Sequence, residues 1–248
     1  MENKIFHQLK IGKGKQQLIC FPYLGGYANS FFELAGKLDE DIEVWAANPP
    51  GHGGCSLEPL VDINSLLELY FEELKTVIKP QSVFFGHSMG GVIAYFLAQS
   101  ILGSEKYTVK PAALVLSACN TPCDFKTKTY SSLSDDKLIE HLISYDGISE
   151  ELINEKSLLE FFLPVYRADF KVLETSSARD LKPMEIPVYF MWGEKDKIVP
   201  IDSTVQWLRY FKNEINIIPI EEGSHMFIYD KSTVVAEHLK DIVGVAHR

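Results

Sequence analysis

Short apolar segments alternate with helix-length segments along most of the chain, and this alternation constrains the possible fold more than any other feature. Segments rich in β-branched and aromatic residues predict strands over 16–23, 42–50, 82–88, 112–120, 186–194 and 214–222, with a weaker edge strand in 5–12. Several of these segments are apolar at nearly every position, which is typical of strands covered on both faces. We therefore predict an α/β fold in which helices flank a mostly parallel sheet.

Three helices are predicted to begin at an aspartate, because aspartate before an amphipathic segment can cap the first turn. The clearest is "DINSLLELYFEELKTVI", which starts at Asp62 and repeats apolar residues at helical spacing. Two further segments open in the same way at Asp202 and Asp230.

The segment 121–179 interrupts the alternation. It contains no strand pattern, only helical pieces such as "SDDKLIEHLISYDG" and "SLLEFFLPVYRADFKVLE". Such a segment is too long for a plain connection. We predict one domain over 1–248 with a helical lid over 121–179; a second small domain is the alternative. Ligands of open α/β sheets bind beyond the carboxyl ends of the strands, where such a lid would lie.

Charge and composition exclude several classes of function. The 248 residues carry a formal net charge of −10, whereas a nucleic-acid-binding protein needs a basic face. No apolar segment approaches the roughly 18 residues of a membrane-spanning helix, and the N-terminal segment lacks a secretory signal pattern. The four cysteines have no partners at the spacing of a zinc site. We expect a cytoplasmic globular protein with reduced thiols and no metal.

The strongest chemical motif lies in "FFGHSMGGVIAYFLAQSIL", residues 84–102. "GHSMG" fits G-x-S-x-G between an apolar strand and a helix, which is the context of a nucleophile elbow. Gly86 and Gly90 permit the sharp turn that would raise the Ser88 hydroxyl above the sheet. The N-terminus of the next helix would favour negative charge beside that hydroxyl. We predict that Ser88 is the nucleophile of an α/β-hydrolase.

The serine needs a base, and in this architecture the acid and then the histidine follow the serine along the chain. His225, in "EEGSHMFIY", directly follows the last predicted strand and is the best-placed base. The other histidines precede the serine, adjoin it with the side chain predicted to point away, or fall in predicted helices and the C-terminal tail: His7, His52, His87, His141, His238 and His247.

The acid should follow an earlier strand, where it can hold the tautomer of the imidazole and stabilise the imidazolium. Asp196, in "FMWGEKDKIVP", is our prediction. Asp124 is the main rival because it follows the strand "ALVLSAC", and Glu194 and Asp202 are further alternatives.

Two backbone N–H groups should stabilise the oxyanion of a tetrahedral intermediate. Met89, the residue after the nucleophile, is predicted to supply one of them. Tyr23, in "FPYLGGYANSF", is predicted to supply the other, and Gly25 and Gly26 would let that loop bend tightly.

Over nearly its whole length, the chain resembles the type II thioesterases that accompany nonribosomal peptide and polyketide synthases. "LICFPYLGGYANSFFELAGKL" is similar to the oxyanion-loop signature of that family, and "FFGHSMGGVIAYFLAQ" to its elbow. "PVYFMWGEKDKIVP" and "EGSHMFIYD" match its acid and histidine segments, so the triad of the family falls on Ser88, Asp196 and His225. The most discriminating match is "LPVYRADFKVLETS" (163–176), which general hydrolases lack.

The chain departs from the family at two places that are candidates for the entrance of the site. It has "NPPGHGG" (48–54) where the family usually has L-P-G-R-G, and Leu24 where the family has a small residue. Arg167 and Asp169 have no assigned role, although a buried ion pair that fixes the lid is one interpretation.

The resemblance implies a serine hydrolase that removes acyl groups from the phosphopantetheine arm of acyl or peptidyl carrier proteins. It implies no cofactor, transient carrier binding and a monomer; Lys126 and Lys128 are candidates for a small basic docking patch. One alternative is a general α/β-hydrolase that acts on small esters or acyl-coenzyme A. Another is a binding module without catalysis, against which the set Ser88, Asp196 and His225 argues.

Overall fold

The structure is a computed structural model that describes residues 4–144, 155–179 and 182–246, and its centre is a seven-stranded sheet. The strands are β1 (Phe6–Lys10), β2 (Gln16–Phe21), β3 (Ile42–Ala47), β4 (Val83–His87), β5 (Ala113–Ser117), β6 (Val188–Gly193) and β7 (Ile215–Ile220). Their order across the sheet is β1-β3-β2-β4-β5-β6-β7, and of these strands β1 alone runs antiparallel to its neighbour. The predicted α/β fold with a mostly parallel sheet is confirmed.

The described helices lie between or after these strands. They are α1 (Phe32–Lys37), α2 (Ile63–Leu74), α3 (Met89–Leu102), α4 (Asp135–Ser144), α5 (Lys156–Ser176), α6 (Ile201–Trp207), α7 (Phe227–Asp230) and α8 (Ser232–Ala246). At the start of α2, the Asp62 carboxylate accepts a hydrogen bond from the Ser65 N–H at 3.0 Å, as the capping prediction requires.

The other two capping predictions are wrong. Helix α6 starts at Ile201 after Pro200, so Asp202 lies inside its first turn. The fixed φ of proline already suits the start of a helix, and no aspartate cap is used there. Asp230 is the last residue of the short helix α7, and α8 starts only at Ser232.

Both faces of the sheet are buried. Phe84 and Phe85 are consecutive in β4, so their side chains point to opposite faces. Phe84 belongs to an apolar cluster with residues of α2 and α3, and Phe85 to a second cluster with residues of α1 and α8. The edge strand β7 is less covered, and Ile217 is 45% exposed. Because β2 to β7 run parallel, their carboxyl ends all lie at the same end of the sheet.

Helices α4 and α5 occupy the segment between β5 and β6. They share a separate apolar cluster, formed by Leu138, Leu142, Leu159, Leu163, Tyr166 and Phe170. Helix α5 also packs against α2 and α3. Part of the segment 121–179, residues 145–154, lies outside the described residues, including the end of the predicted helical piece "SDDKLIEHLISYDG".

Candidate active site

Ser88 lies in a sharp turn between the end of β4 and the start of α3. Its φ of 53° and ψ of −120° fall in a strained region that few residues other than glycine adopt. The turn is possible because the residues two positions before and after Ser88 are glycines: a Cβ on Gly86 would lie 2.1 Å from the carbonyl oxygen of Gly90. The predicted strand–turn–helix arrangement is therefore present, with the hydroxyl of Ser88 beside the N-terminus of α3.

Three side chains from separate loops meet in one chain of hydrogen bonds. His225 Nε2 lies 3.0 Å from Ser88 Oγ, and His225 Nδ1 lies 2.9 Å from Asp196 Oδ2. A carboxylate oxygen only accepts, so Nδ1 carries the proton and the lone pair of Nε2 faces the Ser88 hydroxyl. The other oxygen of Asp196 accepts from the N–H groups of Ile198 and Val199 at 2.8 and 3.0 Å. This geometry suits removal of the Ser88 proton by His225.

The alternative acids lie elsewhere. Asp124 Oδ2 accepts from the N–H and the hydroxyl of Thr121, both at 2.8 Å, so it caps its own helical turn. Glu194 and Asp202 are exposed. Among the described carboxylates, the one in contact with His225 is that of Asp196.

His87 contributes in a way that sequence reasoning missed. Its ring is buried; Nδ1 lies 2.8 Å from Ser117 Oγ, and Nε2 lies 3.0 Å from the backbone oxygen of His225. Since a carbonyl oxygen only accepts, Nε2 donates and Nδ1 accepts from the serine hydroxyl. Burial and the nearby His225 hold the pKa of His87 well below its usual value, so the ring is neutral. His87 thus anchors the backbone of His225. The one feature that points to this role is that His87 lies beside Ser117 of the adjacent strand.

The loop after β2 and the start of α3 approach each other beside Ser88. Met89 is the first residue of α3, so its N–H has no acceptor within the helix. A Cβ on Gly90 would lie 2.0 Å from the carbonyl oxygen of Phe21, at the end of β2, and 2.7 Å from that of Pro22, so the backbone at the start of the loop packs directly on the helix. Tyr23 and Met89 border the same cavity as Ser88.

A cavity of about 80 Å³ adjoins Ser88. Its apolar lining includes Val92 from α3, Leu142 from α4 and two residues of α5, Phe170 and Leu173. The two departures from the family pattern differ in position. Leu24 lines the cavity, whereas the lining includes no residue of 48–54.

The buried ion pair suggested for Arg167 and Asp169 takes a different form. The two residues have separate partners: Arg167 bonds the Asp135 carboxylate and the backbone oxygen of Ser131. Asp169 Oδ2 instead faces His52 Nε2, at 3.0 Å, and is buried.

The described residues contain no cluster of three or more His, Cys, Asp or Glu side chains that could hold a metal ion. All four cysteines fall in the described ranges and are free thiols, including the spaced pair Cys119 and Cys123. None of the helices in residues 4–144, 155–179 and 182–246 combines the length and apolar character needed to cross a membrane.

Known proteins resemble this chain over almost its whole length. The gramicidin S biosynthesis protein GrsT of Aneurinibacillus migulanus is 30% identical over 242 residues, which cover 96% of this chain and 93% of GrsT. The solved structure of the type II thioesterase BorB from the borrelidin biosynthetic cluster has a TM-score of 0.84 at 25% identity, with 96% and 97% of the two chains covered. YbtT, a type II thioesterase from the yersiniabactin pathway, has the same fold, with a TM-score of 0.85, 23% identity, and 98% and 99% coverage.

The similarity extends to a family model that spans most of the chain. The model of the thioesterase domain matches residues 16–243, which include the elbow, the acid loop and the histidine loop. Members of this family are thioester hydrolases. The α/β-hydrolase fold, the chain of hydrogen bonds from Ser88 to Asp196 and this match agree, and the chain belongs to the thioesterase domain family.

Proposed function

We propose that the chain hydrolyses acyl thioesters held on the phosphopantetheine arm of carrier proteins, as an editing enzyme of a nonribosomal peptide or polyketide synthase. One observation carries the proposal: in a chain of the thioesterase domain family, the hydrogen-bonded set Ser88, His225 and Asp196 opens on an apolar cavity. GrsT is named for gramicidin S biosynthesis, BorB is a type II thioesterase from the borrelidin biosynthetic cluster, and YbtT comes from the yersiniabactin NRPS/PKS pathway; these names support the synthase context.

In the first half of the reaction, Ser88 Oγ attacks the thioester carbonyl carbon while His225 Nε2 takes the hydroxyl proton. The carbonyl oxygen becomes an oxyanion, and the N–H groups of Met89 and Tyr23 stabilise it. Asp196 stabilises the imidazolium that forms. When the tetrahedral intermediate collapses, the carbon–sulfur bond breaks and His225 returns the proton to the departing thiol.

In the second half, a water molecule attacks the acyl-serine ester and His225 removes its proton. The second tetrahedral intermediate uses the same two N–H donors. Its collapse breaks the bond to Ser88 Oγ, which regains the proton from His225. The products are a free carboxylic acid and a carrier with a free thiol.

The cavity sets the size of the acyl group. A protein cavity of 150 Å³ holds benzene, so about 80 Å³ accommodates roughly three carbon atoms. A short acyl group would fill the space between Ser88 and the apolar residues of α4 and α5. We propose that the segment 121–179 acts as a lid whose helices close this space from above.

The carrier protein would bind only transiently, and the enzyme would act as a cytoplasmic monomer without cofactor. The net charge of −10 gives no overall attraction to an acidic carrier, so local cations must guide docking. Lys126 and Lys128 are exposed in the segment that follows β5 and are our candidates.

The first test compares the hydrolysis of three acetyl donors at equal concentration. They are acetyl on the phosphopantetheine arm of a carrier protein, acetyl-coenzyme A and p-nitrophenyl acetate. We expect the carrier-bound thioester to be hydrolysed fastest, and Ser88→Ala to be inactive but folded by circular dichroism. A fluorophosphonate should label wild type and not Ser88→Ala. Equal or faster turnover of the two small donors would instead indicate a general esterase or acyl-coenzyme A thioesterase.

A further inference from the structure

His52 lies in the loop after β3, outside the catalytic set, and both of its ring nitrogens face oxygen atoms. Nδ1 is 2.9 Å from the backbone oxygen of Pro50, and Nε2 is 3.0 Å from Asp169 Oδ2. Carbonyl and carboxylate oxygens accept hydrogen bonds and do not donate them. A neutral imidazole has one N–H, whereas an imidazolium has two. Both contacts are therefore hydrogen bonds only when His52 is positively charged.

The surroundings favour that charge. The side chains of His52 and Asp169 are 3% and 6% exposed, and buried charges persist in proteins when they are paired and hydrogen-bonded. Burial by itself lowers the pKa of His52. The charge of Asp169, its hydrogen bond and the hydrogen bond to Pro50 outweigh burial and raise the pKa above its usual value.

The pair is connected to the loop after β2. Asp169 Oδ2 also accepts a hydrogen bond from the N–H of Gly25 at 2.7 Å, two residues beyond Tyr23. Gly25 has a φ of +76°, and a Cβ there would lie 2.4 Å from the ring of Tyr166, one helical turn before Asp169 in α5. The loop that carries the Tyr23 N–H is thus held between α5 and the loop of His52.

We infer that the His52–Asp169 ion pair positions the oxyanion loop, residues 22–26, and that hydrolysis slows when His52 loses its proton. The inference rests on the proposed function, since the position of the loop matters through the Tyr23 N–H. Neither residue lines the cavity, so both are positioning residues and not catalytic ones.

Other titratable groups face the pair from the elements packed against it. They are Tyr70 of α2, Tyr166 of α5 and Cys55 of the His52 loop. Burial raises the pKa of Tyr70 well above its usual value and that of Tyr166 to about 12, so both phenols stay neutral below that range. Cys55 is a half-buried thiol, and the variant Cys55→Ser controls for its ionisation.

The direction of the pH effect follows from the raised pKa. The unfolded-state pKa of histidine is about 6.5, and below it the ion pair contributes fully to the folded state. As the pH rises from there through the higher pKa of folded His52, the second N–H is lost. Asp169 then keeps its bond to Gly25 without a cation beside it, and the loop loses part of its restraint.

The test measures kcat and KM for an acetyl-carrier from about pH 6 to 9.5. The wild-type kcat should fall about tenfold on the alkaline side, which corresponds to about 1.4 kcal/mol in the barrier. His52→Arg keeps a charge throughout and should lack this fall, whereas His52→Gln should be about tenfold slower than wild type near neutral pH and should show no alkaline fall. Cys55→Ser should follow wild type. An alkaline fall that persists unchanged in His52→Arg overturns the inference.

A second measurement does not depend on activity or on the folding of any variant. Nitrogen-15 NMR of the wild-type histidine rings should show both nitrogens of His52 mostly protonated at about pH 6.5, where an unperturbed histidine is half protonated, and one proton lost at higher pH. A His52 that is half protonated or less at about pH 6.5 overturns the inference. A charged His52 in a protein that hydrolyses no thioester refutes the proposed function, and with it the effect of the pair on hydrolysis.

Discussion

Replacing Asp196 by asparagine should remove almost all activity, because the local hydrogen bonds dictate how the new amide is oriented. The position of Oδ1 faces two N–H donors, those of Ile198 and Val199, so the amide oxygen must take that place. The amide NH₂ then occupies the place of Oδ2, 2.9 Å from His225 Nδ1. Two donors cannot face each other, so Nδ1 becomes an acceptor and the ring proton moves to Nε2.

The moved proton abolishes the base. Nε2 is the atom that faces Ser88 Oγ, at 3.0 Å, and once protonated it can no longer accept the hydroxyl proton. The same change in a serine protease triad lowers kcat about 10⁴-fold, and we expect a similar loss here, about 5.4 kcal/mol. The assay is single-turnover hydrolysis of an acetyl-carrier, with thermal unfolding as the measure of folding.

Asp124→Asn is the matched control. Asp124 is the third residue of its turn, after the N-cap Thr121, and the carbonyl oxygen of asparagine can accept both hydrogen bonds from Thr121 as the carboxylate does. We expect a rate within about threefold of wild type, which corresponds to a barrier change of about 0.6 kcal/mol or less. If Asp124→Asn were the more damaging substitution, the assignment of Asp196 as the acid would be wrong.

Three further predictions follow from the geometry. Gly90→Ala should abolish activity and destabilise the fold by about 3 kcal/mol or more, because the new Cβ would lie 2.0 Å from a backbone oxygen. Gly36→Ala in α1 meets open space and should not destabilise; equal urea midpoints for the two variants would contradict this contrast. The ring of His87 stays neutral in the folded state, whereas in the unfolded state it takes up a proton below about pH 6.5. The free energy of unfolding of the wild type therefore falls as the pH is lowered. The unfolding free energy of wild type relative to His87→Gln should therefore drop by about 1 kcal/mol between about pH 6.5 and 5.5, and a constant difference would refute the neutral state. Phe170→Ala and Leu173→Ala enlarge the cavity and should shift the preferred acyl group from acetyl toward hexanoyl. An unchanged chain-length profile would show that these two side chains do not limit the length of the acyl chain.

The strands were predictable because burial on both faces leaves a strong local signature. Their ends were less so. The apolar pattern predicts a strand over 42–50, yet β3 ends at Ala47. The next residues are Asn48 and two prolines, and proline cannot donate to a strand ladder. Asn48 leaves the sheet, and its side chain bonds to the backbone of Ala28 and His52.

The candidate catalytic residues were predictable from order along the chain and from local turn residues. Ser88 is marked by adjacent glycines, and His225 and Asp196 by their places after strands. The contacts that support these three residues could not be predicted, because the contacts join residues far apart in sequence. His52 and Asp169 are separated by 117 positions, and no local pattern links them. Only the packing of α5 on the loops makes them partners.

The contact between Gly90 and the loop after β2 separates two properties that enzymes often have to change together. The distance from that loop to α3 is a backbone-to-backbone contact, so the side chains of the loop do not determine it. The side chain of Leu24 lines the cavity and takes no part in that contact, so we expect a substitution there to leave the peptide groups in place. Evolution or a protein engineer can therefore alter acyl selectivity at this position without reconstructing the machinery that breaks the thioester.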